Sequence, residues 1–493
     1  MKLLDKHKIR EWDQYSIEGL GMESLELMEK ASSHFVQWFT SLYFDKCRLI
    51  TVVAGPGNNG GDGLAVARML MNKGYAVQVH YMAFSESPSK DNAANLERLG
   101  TVCYYRSFTK ILCPPSAIII DALLGTGIKG PARGEYLKVI QFLNQSDHEI
   151  VSIDIPSGLD PDGHEEGEYI KSQRVLSFEI PKISFFTENI PWSCKSIGLV
   201  PDFLEKQEVK YELITREMVQ KGMRIRYSDQ GKHHFGFGQF CGGSPGMLGS
   251  VILASRAAMR CGLGRLSVSI PKLHHGAFLA SCPEVMVQSG IEANRRKLSA
   301  FQFINKGIDA IAIGPGLGTS ASAIKYIDEF LDEGFQQTIL DADALNIIAR
   351  EEWQDRIPED AIITPHEQEF ERLFGPCERR LNRIELQRAK SEELGIYIIL
   401  KGAHTCISTP EGMCYFNNTG NVGLGTAGSG DVLSGMLLGF LGQNYAPLQA
   451  AISAVYLHGL AGDHAKLKFG EVSLIASDII DYIPEVIKNV YEK

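Results

Sequence analysis

Gly425-Thr426-Ala427-Gly428-Ser429-Gly430-Asp431 runs directly into residues 432–441, which are apolar enough to form a buried helix. A glycine-rich turn that opens a helix is a phosphate cradle. Glycines let consecutive backbone N–H groups turn toward one anion, and the positive end of the helix dipole adds to the attraction. Asp431 is the odd residue out, because a carboxylate repels phosphate. Its use would be to take a proton from a hydroxyl that attacks a phosphoryl group bound beside it. The same seven residues are equally a glycine-rich helix entry whose Asp favours the dipole, so the neighbouring segments decide.

Upstream of this stretch, and in this order, stand Ile313-Gly314-Pro315-Gly316-Leu317-Gly318, Leu340-Asp341-Ala342-Asp343-Ala344-Leu345, Thr364-Pro365-His366-Glu367 and Leu400-Lys401-Gly402-Ala403-His404-Thr405. The ordered set resembles the ribokinase-type ATP-dependent kinases and, within them, the ADP- or ATP-dependent NAD(P)H-hydrate dehydratases. The resemblance runs from about residue 237 to the last residue, and five motifs in order are far more specific than any one of them.

A chain of 493 residues with 44% apolar composition can bury more than one core, since single cores seldom grow past about 250 to 300 residues. Two domains are expected, 1–218 and 219–493, with the junction at 221–234, where a charged, glycine-containing stretch has neither a helix nor a strand period. The net charge of −10 and pI near 5.8 argue against a general nucleic-acid or anionic-membrane binder and favour a small-molecule partner. The first residues are charged where a signal peptide needs an apolar core, and no run of about 18 apolar residues occurs. A cytoplasmic protein, expected to be a homo-oligomer, follows. Ten cysteines with no Cys-x-x-Cys pair read as reduced thiols, neither disulfides nor a zinc site.

Strand and helix alternate in both halves. In the first, strands are expected at 49–54, 76–82, 117–120 and 149–153, with helices at 64–71, 91–99 and 136–143 and two more within 1–38. In the second, strands are expected at 237–241, 266–270, 310–313, 338–340, 361–363 and 397–400, with a helix at 249–259. Both halves therefore read as doubly wound α/β, an N-terminal Rossmann-like sheet followed by a ribokinase-like α/β domain.

The first half has its own chemistry. Gly55-Pro56-Gly57-Asn58-Asn59-Gly60-Gly61-Asp62-Gly63 follows a strand and opens a helix, yet the acid that a dinucleotide fold places about 20 residues on is here His80. The Asn pair and Asp62 suit a polar ligand or a cation, or else a tight turn with Asx caps. Asp121-Ala122-Leu123-Leu124-Gly125-Thr126-Gly127 and Asp154-Ile155-Pro156-Ser157-Gly158 close two more strands. Asn59, Asp121, Asp154 and Ser157 thus reach one rim, and a weakly charged oxygen set suits a monovalent ion, although single Asp residues at strand ends are also common helix caps.

These segments, with Asp13-Gln14-Tyr15-Ser16-Ile17-Glu18 and Leu27-Met28-Glu29-Lys30-Ala31, resemble the NAD(P)H-hydrate epimerases. The whole chain is then similar to the bifunctional NAD(P)H-hydrate repair enzymes of bacteria. The resemblance implies that the epimerase substrate meets Asn58, Asn59, Gly60, Gly61, Asp62, Gly125, Thr126, Gly127, Ile128, Lys129, Gly130, Pro131 and Asp154, the last as a catalytic residue. It implies potassium at Asn59, Asp121 and Ser157. In the dehydratase half it implies ADP or ATP, with magnesium, along Lys401, Gly402, Ala403, His404, Thr405 and Gly430. The hydrate would meet Ser250, Gly316, Gly318, His366 and catalytic Asp431. Ser250 stands where the family usually has Ala. His366 could equally cap a helix, and Lys401 could be only an ion-pair partner.

The implied chemistry is repair of hydrated NADH and NADPH. Hydroxide is a poor leaving group; phosphorylating the ring hydroxyl first makes it depart readily, which gives a kinase-like fold a use in a dehydratase. Two other functions fit the same residues: a kinase that keeps its phosphorylated product beside a regulatory first half, or a first half that only binds protein.

Overall fold

This computed structural model describes residues 1–491 except Glu86, Lys129, Glu165 and 289–306. The chain forms two compact units, Lys2–Val209 and Lys210–Lys493, the second including Met1.

In the first unit, β1 (Ile50–Ala54), β2 (Val77–Met82), β3 (Cys103–Tyr105), β4 (Ile118–Ala122), β5 (Glu149–Ile153), β6 (Arg174–Phe178) and β7 (Trp192–Lys195) form one parallel sheet. Its order is β3-β2-β1-β4-β5-β6-β7. Alternate residues enter opposite cores, which is why the central strands β1 and β4 are apolar along most of their length. Val52, Ala54, Ile118 and Ile120 pack with Phe35 and Phe39 of the helix Ser24–Leu42. Val53 and Ile119 pack with Val139, Ile140 and Leu143 of the helix Gly134–Asn144. The strand order reverses between β1 and β4, so a crevice opens beyond their C-terminal ends.

One boundary differs from expectation. The helix foreseen at 64–71 is Asn58–Asn72, so the polar loop residues Asn58 to Asp62 form its first turns. Close approach demands this: a Cβ on Gly60 would lie 1.8 Å from the Gly55 carbonyl oxygen. The glycines let helix and strand end interlock.

The second unit holds β8 (Tyr211–Leu213), β9 (Phe237–Cys241), β10 (Arg265–Ser269), β11 (Met286–Gln288), β12 (Ala310–Ile313), β13 (Thr338–Leu340), β14 (Ile362–Ile363), β15 (Tyr397–Leu400), β16 (Cys406–Ser408) and β17 (Cys414–Phe416). Among the described residues their order is β11-β10-β9-β12-β13-β14-β15-β16-β17-β8. Pairing is parallel from β11 to β15, then antiparallel through β16 and β17. Because β8 pairs with β17, the second unit begins upstream of residue 219, and the stretch 221–234 lies inside it. The order reverses between β9 and β12.

Phe240, Ala312, Ile339, Ile362 and Ile399 face one core, which the helices Ser429–Leu441, Pro447–Phe469 and Ala476–Tyr491 cover. Cys241, Ile313, Leu340, Ile363 and Ile398 face the other. Full burial of side chains such as Phe240 or Leu437 stabilises by about 1.5–3 kcal/mol each. The helix Ser429–Leu441 is buried at every residue from Val432 onward, because it is clamped against Leu248–Arg260. A Cβ on Gly435 would lie 2.0 Å from the Ala254 carbonyl oxygen, so that contact requires glycine. No helix among the described residues is long and apolar enough to cross a membrane, and the ten cysteines are free.

Candidate functional site

Each unit carries one cluster at its crevice. In the first, Asp121 ends β4 fully buried. Its carboxylate accepts hydrogen bonds from the Leu123 N–H at 3.2 Å, the Ser157 N–H at 2.9 Å, the Ser152 hydroxyl at 2.7 Å and the Ser157 hydroxyl. Burial pushes its pKa up, and those hydrogen bonds oppose the shift. The Asn59 carboxamide donates to the Leu124 carbonyl at 3.0 Å, and the Ser157 hydroxyl, whose one proton serves either Asp121 or that carbonyl, also lies 3.0 Å from it. Asn59 and Ser157 therefore meet at one backbone oxygen, and Asp121 joins them through Ser157. Among the described residues no cluster of three His, Cys, Asp or Glu side chains is arranged to hold a metal.

Asp154 follows β5 with φ +62, a backbone turn that aims its side chain back at the end of β6. It accepts from the Phe178 N–H at 3.0 Å and from Lys182 Nζ at 2.8 Å. Asp62 lies beside the Ser32 hydroxyl at 3.3 Å. Its carboxyl is pushed well above the usual range by burial and by Asp154, with Asp13 and Asp91 adding to the effect and Ser32 opposing it. Asp13 is raised to about 6 by burial and by Asp154, while Lys182 pulls it down and Glu179 adds to the rise. Three carboxyls and one ammonium thus share this crevice, too close for all to ionise easily.

The loop beyond β4 supplies the other residues singled out. The Arg10 guanidinium donates to the Thr126 carbonyl at 2.8 Å, and the Ile128 N–H donates to the Gly125 carbonyl at 3.4 Å. Gly130 has φ +73, Pro131 abuts Gly167, and Lys129 lies outside the described residues. Asn58 is exposed at the start of its helix, while Gly60 and Gly61 are buried behind it.

In the second unit, Gly428 caps the helix Ser429–Leu441 with φ +88, a conformation that glycine adopts without strain and that turns the first-turn N–H groups toward the crevice. His458 holds this entry, its Nε2 lying 3.0 Å from the Ser429 carbonyl; burial lowers its pKa to about 4, so it is neutral. Lys401 closes β15 and reaches the cradle: a Cβ on Gly430 would lie 3.6 Å from its Nζ. Its Nζ donates to Asp341 at 2.9 Å and stands 3.9 Å from Glu369. Burial pulls the Lys401 pKa down, yet Asp341 and Glu369 outweigh it and the pKa rises. For Asp341 burial works upward, but Lys401 and the Ser434 hydroxyl, at 2.6 Å, hold the carboxyl below the usual range.

Asp431 in the first helical turn is raised to about 6. Burial is the main cause; a hydrogen bond with the Ser250 hydroxyl opposes it, Asp341 adds, Lys401 opposes and Asp343 adds. A carboxylate so tuned is ionised at neutral pH and still a competent base. The glycine turn beyond β12 is pinned by Asp343, which accepts from the Gly318 N–H at 2.8 Å, while the Gly316 carbonyl accepts from the Ser244 N–H at 2.6 Å. His366 caps the helix Glu367–Phe374: its Nδ1 accepts from the Gln368 and Glu369 N–H groups at 3.2 and 3.3 Å. A cavity of about 300 Å³ adjoins Lys401, Gly402, Ala403 and His404. Arg380 and Arg383, which line it from the helix Arg380–Leu394, escaped the sequence reading. The Arg380 guanidinium donates to the His404 carbonyl at 2.9 Å, and His404 itself is lowered to about 4 by burial and by Arg380. Thr405 stays within the loop, its hydroxyl donating to the Gly402 carbonyl at 3.2 Å.

Sequence reasoning also missed Lys182, and it gave Asp13 no chemical part. Each acts across the fold, and the only local signal for Lys182 was a lysine just after Ile180-Pro181 at a strand end.

Fold and clusters together define a two-unit α/β enzyme, a Rossmann-like sheet and a ribokinase-like one, each with polar groups at its switch point. The family model for NAD(P)H-hydrate dehydratase matches residues 240–485, and that for the YjeF-related protein N-terminus matches 24–184. A bifunctional NAD(P)H-hydrate repair enzyme of Moorella thermoacetica is 32% identical, over 100% of this chain and 98% of that protein. One of Coxiella burnetii is 31% identical, over 98% of each. This chain belongs to the family of bifunctional NAD(P)H-hydrate repair enzymes. Among solved structures, a ribokinase-like superfamily protein from Enterococcus faecalis aligns with TM-score 0.52 and 29% identity, over 58% of this chain and 99% of that one.

Proposed function

We propose that the chain repairs hydrated NADH and NADPH in two steps. The first unit interconverts the R and S hydrates, and the second restores the S hydrate to NAD(P)H at the expense of ADP or ATP. The observation that carries the second step is Asp431 beside the glycine cradle and within the field of Lys401. There the N–H groups around Gly428 to Gly430 hold the transferring phosphoryl group, and Lys401 offsets its charge. Asp431 takes the proton of the ring hydroxyl as its oxygen attacks the terminal phosphorus, and the bridging P–O bond breaks to release AMP from ADP or ADP from ATP. Phosphate then departs with that oxygen, and loss of a ring proton forms the double bond. Lys401, Gly402, Ala403, His404 and Thr405 hold the adenine nucleotide along the adjoining cavity, while Ser250, Gly316, Gly318 and His366 border the hydrate. Magnesium, which needs only one or two carboxylates when phosphates complete its shell, would screen the phosphate charge near Asp431.

In the first unit, Asn58 to Asp62, Gly125 to Ile128, Gly130, Pro131 and Asp154 border the hydrate, and proton transfer at Asp154 accompanies inversion of the hydrated carbon. Potassium fits the Asn59, Asp121 and Ser157 oxygens, because a neutral carboxamide, a hydroxyl, a backbone carbonyl and one buried carboxylate make a weakly charged oxygen shell. The deciding experiment incubates the protein with mixed hydrate epimers, with and without ADP or ATP, and follows reduced-nicotinamide absorbance. Full recovery of both epimers supports the reading. Recovery of one epimer only removes the epimerase, and a stable phosphorylated product with no recovery replaces the dehydratase with a kinase.

A further inference from the structure

Donors converge on a single oxygen of Asp154. The Phe178 N–H at 3.0 Å and the Lys182 ammonium at 2.8 Å donate to Oδ1, and the Ser177 hydroxyl, 3.3 Å from Oδ1 and 3.1 Å from the Ile180 carbonyl, shares its one proton between the two. Among the described residues none donates to Oδ2. The ammonium is itself fixed from behind. It donates to the Ser177 hydroxyl at 3.1 Å and to the Ile180 carbonyl at 3.4 Å, and its side chain is 1% exposed against 19% for Asp154. Lys182 therefore cannot reach a ligand in the crevice; only the carboxylate it holds can. The backbone agrees, because Asp154 adopts φ +62 while its N–H donates to the Leu176 carbonyl at 2.8 Å, which ties the turn to β6.

We infer that Lys182 is a positioning residue for the first unit's reaction: with Ser177 and the Phe178 N–H it occupies Oδ1 of Asp154, so that Oδ2 alone is offered to the substrate. This rests on the reading of the first unit as an epimerase. A carboxylate free to rotate would present either oxygen along several directions, and preorganisation of one removes that freedom before the substrate arrives. The ammonium also offsets negative charge in a crevice where Asp62 and Asp13 face Asp154, with Glu179 and the Cys194 thiol close behind. Burying a lysine costs stability unless it is paired, and among the described residues its one carboxylate partner is the one it orients.

The test compares Lys182→Met, Lys182→Arg and Ser177→Ala in the full chain, measuring kcat and KM for epimer interconversion, with circular dichroism as the folding check. Lys182→Met is expected to lower kcat by about 10²-fold with KM within about threefold, since base placement is lost while most substrate contacts stay. Lys182→Arg, which keeps a cation at the same carboxylate, is expected to recover at least about a tenth of the wild-type kcat. Ser177→Ala removes the hydroxyl that accepts from Lys182 and lies beside Oδ1, without removing charge, and is expected to lower kcat by about three- to tenfold. Should Lys182→Met not fold, Ser177→Ala and Lys182→Arg decide. A folded Lys182→Met with normal kcat, a loss confined to KM, or a Ser177→Ala variant with unchanged kcat overturns the inference. Absence of interconversion by the wild type overturns the epimerase reading instead.

Discussion

Both sheets reverse their strand order at one point, β1 beside β4 and β9 beside β12, yet their lysines stand in opposite relations to the crevice. Lys182 is withdrawn to 1% exposure behind Asp154, whereas Lys401 is 23% exposed and comes within reach of Gly430. The helix entries differ in the same sense. At Gly60 the missing side chain lets the helix press on the Gly55 carbonyl, while at Gly428 it lets the backbone turn outward. One topology thus builds two kinds of site. A hidden cation can only arrange a carboxylate, which suits proton transfer; a reachable cation beside free N–H groups can meet phosphate.

The largest expected effect tests the phosphate side. Asp431→Asn is nearly isosteric but is no base at neutral pH, so dehydration should fall by about 10² to 10⁴. ADP or ATP binding, followed by calorimetry, should survive, because the cradle is backbone. A variant that loses its nucleotide would make Asp431 an anchor, and one with near-normal turnover would make it a helix-start residue only.

Asp154→Asn should suppress epimer interconversion by about 10²-fold or more while dehydration of the S hydrate continues, because the clusters lie on separate sheets. Chiral separation of the hydrates reads the first activity and absorbance the second. Loss of both in a folded variant would break the comparison.

Asp431 is raised to about 6, and in the proposed reaction its deprotonated form is the base. Dehydration should therefore be flat above that pH and fall about tenfold per unit as pH drops below it. Measured under saturating nucleotide, a profile with no inflection between about pH 5 and 7 would separate the rate from this carboxyl.

The smallest effect concerns the ion. Asp121→Ala removes the one carboxylate from the oxygen rim and should slow interconversion by about tenfold, partly restored by added potassium. Slowing that potassium does not relieve would make the Ser152, Ser157 and Asp121 network purely structural.

Strands buried on both faces were legible because apolar residues dominate them. β5, β9, β12, β13 and β15 lie at the expected residues. The edge strands β3, β7, β8 and β11 and the antiparallel strands β16 and β17 are short segments and carried no such signal. The residues singled out for the two clusters were legible as motifs, since Asn59 and Ser157 each follow a strand and Asp121 lies near the end of one. What escaped were side chains whose meaning depends on a distant partner. Lys182 meets Asp154 across 28 residues, and Arg380 meets the His404 carbonyl across 24.

By itself the sequence determined the two α/β halves, their order, the family and the glycine cradle ending in Asp431. Each of these is written in local composition: apolar runs, glycine turns and fixed spacings that need no knowledge of what lies across the fold. The tertiary structure alone decided the protonation chemistry. Asp431 and Asp13 rise to about 6 because burial and neighbouring acids contributed by other elements disfavour the charge. Asp341 falls because Lys401 and Ser434 are brought against it. Coulomb energy and desolvation depend on distance and exposure in space, and sequence separation does not report them.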